Sequence, residues 1–460
     1  MIEATILGGI LVKRVLLVMV CFILLMTSGC DSKSGAVVVV TPAPTAAPTP
    51  TATAAATPAP TTVPTPTAEP QPATATVMAV GDLLCLSAQL SAARKGSSYS
   101  FDYCFDEIRD TLSSADFTIG NLETLVAEGY KYTASSSDKA SPSPTPGESA
   151  PAPTDAPAPD PPAVDTPASA ERILGFAAQA PDLESAAPAE SSSGNPKINA
   201  PESFLTAVLG CGFDVLTTAN NHIADYRADG IIKTMQKLDE HGVLHTGAYA
   251  APEDKKPLIA DVNGINIGVL AYTSILNNSP GSGNAYMIDK YDEDVVAADI
   301  AAAKQAGADF IIVNIHWGKE HTHSPNSTQR KMAAFIANAG ADIIFGSHPH
   351  CTQPFETIET ERGPVPVLYS LGNFISSMGK TMHKDGVIVC MTLEKAADTG
   401  EVTLSSLTYI PTLCGNSGKG RFVVFPADLA SIANSPNSAE LTASRERTIE
   451  VLTENVAKAQ

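Results

Sequence analysis

Short apolar runs that end in polar clusters alternate with amphipathic stretches along this chain, and that alternation leaves few folds open to it. Run 76–80 leads into Gly81-Asp82, run 117–120 into Asn121-Leu122-Glu123, and run 215–218 into Asn220-Asn221-His222. Run 310–315 leads into His316-Trp317-Gly318-Lys319-Glu320, and run 343–345 into Gly346-Ser347-His348-Pro349-His350. A strand that is apolar throughout has no face for water, so it belongs in a sheet covered by helices on both sides. The helical stretches fall where such a sheet needs them: 201–209, then 230–241 stopped by Gly242, 295–306 stopped by Gly307, and 329–339 stopped by Gly340. A further strand is expected at 265–271. Beyond His350 the runs 365–369, 387–393 and 402–410 follow one another without helices, as antiparallel additions would. The fold class expected is α/β.

In an open α/β sheet, ligands bind beyond the carboxyl ends of the strands, so clusters far apart in sequence can form one site. Their imidazoles, carboxylates and carboxamides suit manganese, zinc or iron better than calcium or magnesium. His348 and His350, two residues apart after a strand, are the sharpest metal signal, with a pair of solvated or core histidines as the alternative. In Asn220-Asn221-His222 an amide oxygen can ligate while His222 serves as an acid; the alternative is an Asx turn capping the next helix. His316 gains weight from the nearby Glu320, His321 and His323. Trp317 is expected to be a packing wall beside the site. Asp82 and Glu123 are candidate ligands or general bases only because they align with the other strand ends, since a lone carboxylate there commonly caps a helix. Asn373, in Ser370-Leu371-Gly372-Asn373-Phe374, is read either as orienting a ligand or as part of a Gly-Asn turn.

Two stretches cannot join such a fold. Residues 31–74 are dominated by Pro, Thr and Ala and residues 135–195 by Pro, Ala and Ser, compositions too poor in apolar side chains to bury a core. The first reads as a disordered stalk. The second lies between the Asn121 and Asn220 clusters and reads as a disordered insertion looping out of one domain, with a short helix at 173–178. Residues 1–30 read as an export signal: Lys13 and Arg14, the apolar stretch 15–26, then Thr27-Ser28-Gly29-Cys30. That stretch is well short of the roughly 20 residues a spanning helix needs. Its end resembles the bacterial lipobox, with Thr27 where Leu is usual, which makes Cys30 the expected lipidation site and the diacyl anchor to the bacterial cell membrane. An ordinary cleaved signal is the alternative, and both readings put the chain outside the cytoplasm. What is left, roughly 320 residues, is one large domain over 75–430 followed by a polar helical tail over 431–460. The net charge of −20, with no basic patch, argues against nucleic acid and anionic lipid as partners. The cysteines beyond Cys30 show no CxxC spacing, and Cys85 with Cys104 is the pair nearest in sequence for a disulfide.

Taken in order, the clusters resemble the CapA family of bacterial capsule-synthesis proteins, associated with poly-γ-glutamate capsules. The motifs that carry the resemblance are Gly81-Asp82, Gly120-Asn121-Leu122-Glu123, Asn220-Asn221-His222 with Asp225-Tyr226, His316-Trp317-Gly318 with Glu320, Gly346-Ser347-His348-Pro349-His350 and Ser370-Leu371-Gly372-Asn373-Phe374, spread over residues 75–425. That family is similar to calcineurin-like metallophosphoesterases, which implies a four-layer α-β-β-α sandwich and a binuclear metal centre. Carried over by motif, Asp82 and His350 would hold one ion, Asn221, His316 and His348 the other, and His222 would face the substrate. Two positions depart from the phosphoesterase pattern: Leu84 stands where a His is usual, and Asn121 where a bridging Asp is usual. Either Glu123 takes the bridging place or the site holds a single ion. The resemblance implies a lipid-anchored, metal-dependent hydrolase or transferase. It would act on the capsule polymer or an envelope phosphoester, alongside capsule-synthesis membrane proteins. The alternative is a non-catalytic component that assembles, binds or transports the polymer through a degenerate metal site.

Overall fold

A computed structural model of the chain describes residues 71–132, 196–417 and 420–458. The expected export signal with Cys30, nearly all of the stalk, and the insertion with its short helix lie outside the described residues. In chain order the first half contains β1 (Ala73–Leu83), α1 (Ser87–Ala93), the small hairpin β2 (Arg94–Lys95) and β3 (Ser98–Tyr99), α2 (Arg109–Leu112), β4 (Phe117–Leu122), α3 (Glu202–Leu209), β5 (Val215–Thr217), α4 (Arg227–His241) and β6 (Leu244–Thr246). The second half contains β7 (Leu258–Val262), β8 (Ile265–Thr273), α5 (Glu293–Gln305), β9 (Phe310–His316), α6 (Ser327–Ala339), β10 (Ile343–Ser347), β11 (Phe355–Thr360), β12 (Gly363–Leu368), β13 (Asn373–Ile375), β14 (Asp385–Lys395), β15 (Val402–Asn416), β16 (Phe422–Pro426), α7 (Leu429–Asn434) and α8 (Ser438–Lys458).

Apart from the β2–β3 hairpin, which pairs only with itself, the strands divide between two sheets. One runs β16-β15-β14-β1-β4-β5-β6, with β13 also paired to β1; the other runs β11-β12-β10-β9-β8-β7. Within each sheet the strands joined through helices pair in parallel, β1 with β4 with β5 and β8 with β9 with β10. Of the expected antiparallel additions, runs 387–393 and 402–410 are β14 and β15, which pair antiparallel and are continued by β16, whereas run 365–369 is β12, antiparallel to β11 but parallel to β10.

Period-two alternation in the apolar strands sets the layers. Phe310 and Ile312 of β9 and Ile343 of β10 face Val77, Ala79 and Ile119 of the first sheet, forming a core between the sheets. Ile311 and Val313, one residue out of step, pack against Val296 and Ile300 of α5 and Ile336 of α6. On the far side of the first sheet, Leu83, Leu122 and Leu216 pack against Phe204 and Val208 of α3 and Met235 and Leu238 of α4. Helix, sheet, sheet and helix therefore stack as the four expected layers. Helix ends follow local chemistry: Asp292 caps α5 by accepting from the backbone of Asp294 and Val295, Asn326 and Gln329 form a capping box on α6, and Gly242 closes α4 at φ 67°.

Three expectations change. Cys85 and Cys104 are separate buried thiols in the core beneath α1–α3, and burial pushes Cys104 up to about 12. The tail is part of the fold, because α8 buries Leu441 and Leu452 against the sheets. Trp317 sits in the outer layer between the second sheet and its helices, stacked on Tyr369 and donating to its carbonyl at 2.8 Å, and so is not a wall of the site.

Candidate metal centre

The carboxyl ends of β1, β4 and β5 in one sheet and of β9 and β10 in the other meet at one edge of the sandwich, and the polar clusters follow them there. Register brings Asp82 beside Asn121 of β4 and Asn373 of β13. In β10 the register pairs Ser347 with His316 of β9. Gly81 permits the first of these alignments, since a Cβ at that position would lie 1.9 Å from the carbonyl oxygen of Gly372. His348 and His350 adopt left-handed backbone, at φ 94° and 55°, a strained conformation for non-glycine residues that concentrates at functional sites.

Glu123 is the centre of the cluster. Its side chain is fully buried, and its Oε1 lies 3.6 Å from His316 Nε2 and 3.7 Å from His350 Nε2. His350 Nδ1 is 3.2 Å from Asp82 Oδ2 and 3.0 Å from Asn373 Oδ1, so its other nitrogen is the one left for a ligand. His316 Nδ1 is likewise taken up by Ser347 Oγ at 2.9 Å, while its Nε2 is 3.1 Å from Asn221 Oδ1. His348 lies 4.7 Å from His316, ring centre to ring centre, with the two rings tilted by 57°. These partners fix the ring orientations, as outer-shell groups do around ligating histidines.

The electrostatics suit a cation. Burial, then the nearby Asp82 and Glu320 carboxylates, push the Glu123 carboxyl well above its ordinary range. Burial and the neighbouring His350 drive His348 down to about 3, and burial with His348 drives His316 well below the usual imidazole range. Both rings are therefore neutral and carry the lone pair a metal needs. His350 differs: burial would lower it, but the hydrogen bond and charge of Asp82 outweigh burial and raise it.

Both carboxylate oxygens of Glu123 and Nδ1 of His348 are among the buried atoms of the described residues that have no hydrogen-bond partner. Orphaned polar atoms of this kind are rare in native interiors, and a carboxylate among them is costly unless an ion joins it. Asp82, Glu123 and His350 form one group whose ligand atoms lie within 4.8 Å of one another, and Glu123, His316 and His348 form another. The residues fit a divalent ion, and Glu123 is common to both groups.

The family described as "Bacterial capsule synthesis protein PGA_cap" matches residues 76–145 and 180–378, more than half of the chain. The chain belongs to this family. Among curated relatives, the PGA biosynthesis protein CapA of Bacillus subtilis is 34% identical over 233 residues, covering 49% of this chain and 53% of the relative. The capsule biosynthesis protein CapA of Bacillus anthracis is 34% identical over 206 residues, covering 42% and 48%. The chain thus spans about half the length of the curated relatives it matches. Similar solved structures include a phosphatase from Mycoplasma pneumoniae (TM-score 0.36, 11% identity, covering 79% of this chain and 97% of that one). Another is the calcineurin-like phosphoesterase YfkN of Bacillus subtilis (TM-score 0.32, 16% identity, covering 55% and 75%).

In this PGA_cap chain, Asp82, Glu123, His316, His348 and His350 converge directly. Asn221 reaches the cluster through its Oδ1, and Asn121 stands behind Asp82, donating to its Oδ1 at 2.8 Å. The Asx-turn reading holds one residue earlier, where Asn220 Oδ1 accepts from the His222 backbone. His222 lies at the rim with its Nδ1 2.8 Å from Asp225 Oδ2. Leu84 is buried in the core and offers no donor. The sequence reading passed over Asn277 and Asn278, whose amides reach the His222 ring (3.5 Å) and Asp225 Oδ1 (3.1 Å). They follow the end of β8, so the rule that singled out the other clusters would have found them. His383 was also missed, and its only signal is being a histidine.

Proposed function

We propose that this chain is an extracytoplasmic enzyme of capsule synthesis, anchored through Cys30. In this reading it uses one or two divalent ions, manganese, zinc or iron, to hydrolyse or transfer a bond in poly-γ-glutamate or in an envelope phosphoester, alongside capsule-synthesis membrane proteins. The observation that carries the proposal is Glu123, a buried carboxylate with no donor to either oxygen, set between two neutral imidazoles and Asp82. The names of the relatives support the capsule setting, and the 1–30 segment with the 31–74 stalk supports the anchor.

Asp82, Glu123 and His350 would hold one ion, and Glu123, Asn221, His316 and His348 the other, with Glu123 in the bridging place that Asn121 does not fill. An ion there supplies Lewis acidity and an activated water. Asp225 accepts from the Ile198 backbone at 2.8 Å and from Asn278 at 3.1 Å, which fixes its position against His222. Held at Nδ1 in this way, His222 exchanges its proton through Nε2, the arrangement required to protonate a leaving group. Asn277 steadies the ring from the side.

The test is metal content of the full chain by elemental mass spectrometry, with turnover of phosphoesters and γ-glutamyl polymer measured beside it. Wild type should carry ions that His348→Ala and Asp82→Ala lose, whereas His222→Ala should keep its ions and lose at least about 10²-fold in turnover. An ion-free wild type overturns the proposal. One observation favours a second reading: Leu84 removes a donor, leaving a centre that binds the polymer's carboxylates without cleaving it. A metal-loaded chain that binds polyglutamate but turns over neither substrate class would establish that version.

A further inference from the structure

Seven of the nine histidines gather at this edge of the sandwich, yet the two groups built on Glu123 use only three of them. The others include His321 and His383, which accompany Glu320. That residue is exposed, with a side chain 43% accessible. Its carboxylate forms a third group with His348 and His350, all ligand atoms again within 4.8 Å of one another.

Exposed acids near histidines are common, so proximity alone decides nothing. The loop carrying Glu320, however, is fastened to the loop carrying both histidines. The Trp317 backbone donates to Ser347 O at 3.1 Å and the His321 backbone to Pro349 O at 2.9 Å. His321 is itself left-handed at φ 64°. Its Nε2 lies 3.3 Å from Glu320 Oε2 and its Nδ1 lies 2.9 Å from His383 Nε2. One of these two imidazoles donates to the other, in the direction their tautomers set. The carbonyl of His383 accepts from Asn373 Nδ2 at 3.0 Å, and Asn373 Oδ1 meets His350 Nδ1 at 3.0 Å. The contacts therefore run from Glu320 through His321, His383 and Asn373 back to His350. Three strained backbones and a continuous chain of partners are more than solubility requires.

We propose that Glu320 is a solvent-side ligand to the centre, completing the shell of one of its ions beside His348 and His350, and that His321 and His383 are positioning residues that hold it there. The inference rests on the reading of the cluster as a metal centre. It makes that centre unequal, with Glu123 sealed inside and Glu320 able to exchange with water or with an anionic substrate group.

Titration of the full metal-free chain with Mn²⁺, followed by elemental analysis after gel filtration, tests it. Glu320→Gln, similar in size and exposed, should weaken one Mn²⁺ by at least about 10-fold. His383→Ala should weaken the same ion by about 10-fold, and His383→Gln, which keeps a side-chain donor, should restore most of the affinity. Wild-type affinity and stoichiometry in Glu320→Gln overturns this inference alone. A folded wild type that takes up no Mn²⁺ overturns the metal-centre reading and this inference with it.

Discussion

Glu123 costs the protein stability when no ion is present. Its folded carboxyl is held above the ordinary carboxylate range by burial and by Asp82, so between those two pKa values the native state keeps a proton that the unfolded chain has lost. Stability of the metal-free protein must then fall as pH rises through that window. Glu123→Gln removes the ionisation while keeping the shape. Metal-free Glu123→Gln should therefore melt above metal-free wild type at pH 8, by about 2–5 °C, with the gap closing towards pH 4, where the wild-type carboxyl is protonated. Added Mn²⁺ should reverse the order, because only wild type gains binding energy. Calorimetry at the two pH values checks both halves, and a variant less stable than wild type at pH 8 without metal would contradict the account of Glu123.

Elements deliver these residues through close backbone approach. A Cβ on Gly81 would lie 1.9 Å from Gly372 O, and one on Gly346 would lie 2.0 Å from Tyr369 O, in each case against backbone that cannot turn aside. Gly81→Ala should cost about 1–3 kcal/mol and weaken Mn²⁺ binding, since Asp82 moves with the strand. Gly379→Ala, with open space around its Cβ, should leave both unchanged. Denaturant unfolding with Mn²⁺ titration separates the two, and a neutral Gly81→Ala would remove β13 from the account. The same elements mark what the sequence could reveal. Each strand end was legible because an apolar run stops at a polar cluster. Division of those strands between two sheets was not, because a run buried on both faces has the same composition in either sheet. β13 is three residues long and begins at Asn373, which made a turn an equal reading. The β7–β8 hairpin did announce itself: Asn263 and Gly264 both have positive φ, and an Asn-Gly pair between apolar runs is a strong hairpin signal that the sequence reading left unused.

At the scale of the whole molecule, the site depends on the two sheets keeping their relative position, because Asp82 and Glu123 come from one and His316, His348 and His350 from the other. Helix α8 bears on this. It touches β14 and β15 of the first sheet and β11 of the second, and its Leu452 enters the core between the sheets. Upstream, Arg447 and Ser444 bind the buried Asp385 at 2.6–2.7 Å, close to the His383 loop. Leu452→Ala should cost about 2–5 kcal/mol, the ordinary loss for a buried leucine. Ile300→Ala, on the buried face of α5 in the outer layer, should cost a similar amount. If the sheets are held in register by the core between them, equal losses of stability have unequal effects on the site. Leu452→Ala should weaken Mn²⁺ binding several-fold and Ile300→Ala should not. Parallel losses of affinity in the two variants would mean that the centre responds to global stability alone, and that the clusters are held by their own hydrogen bonds rather than by the packing of sheet on sheet.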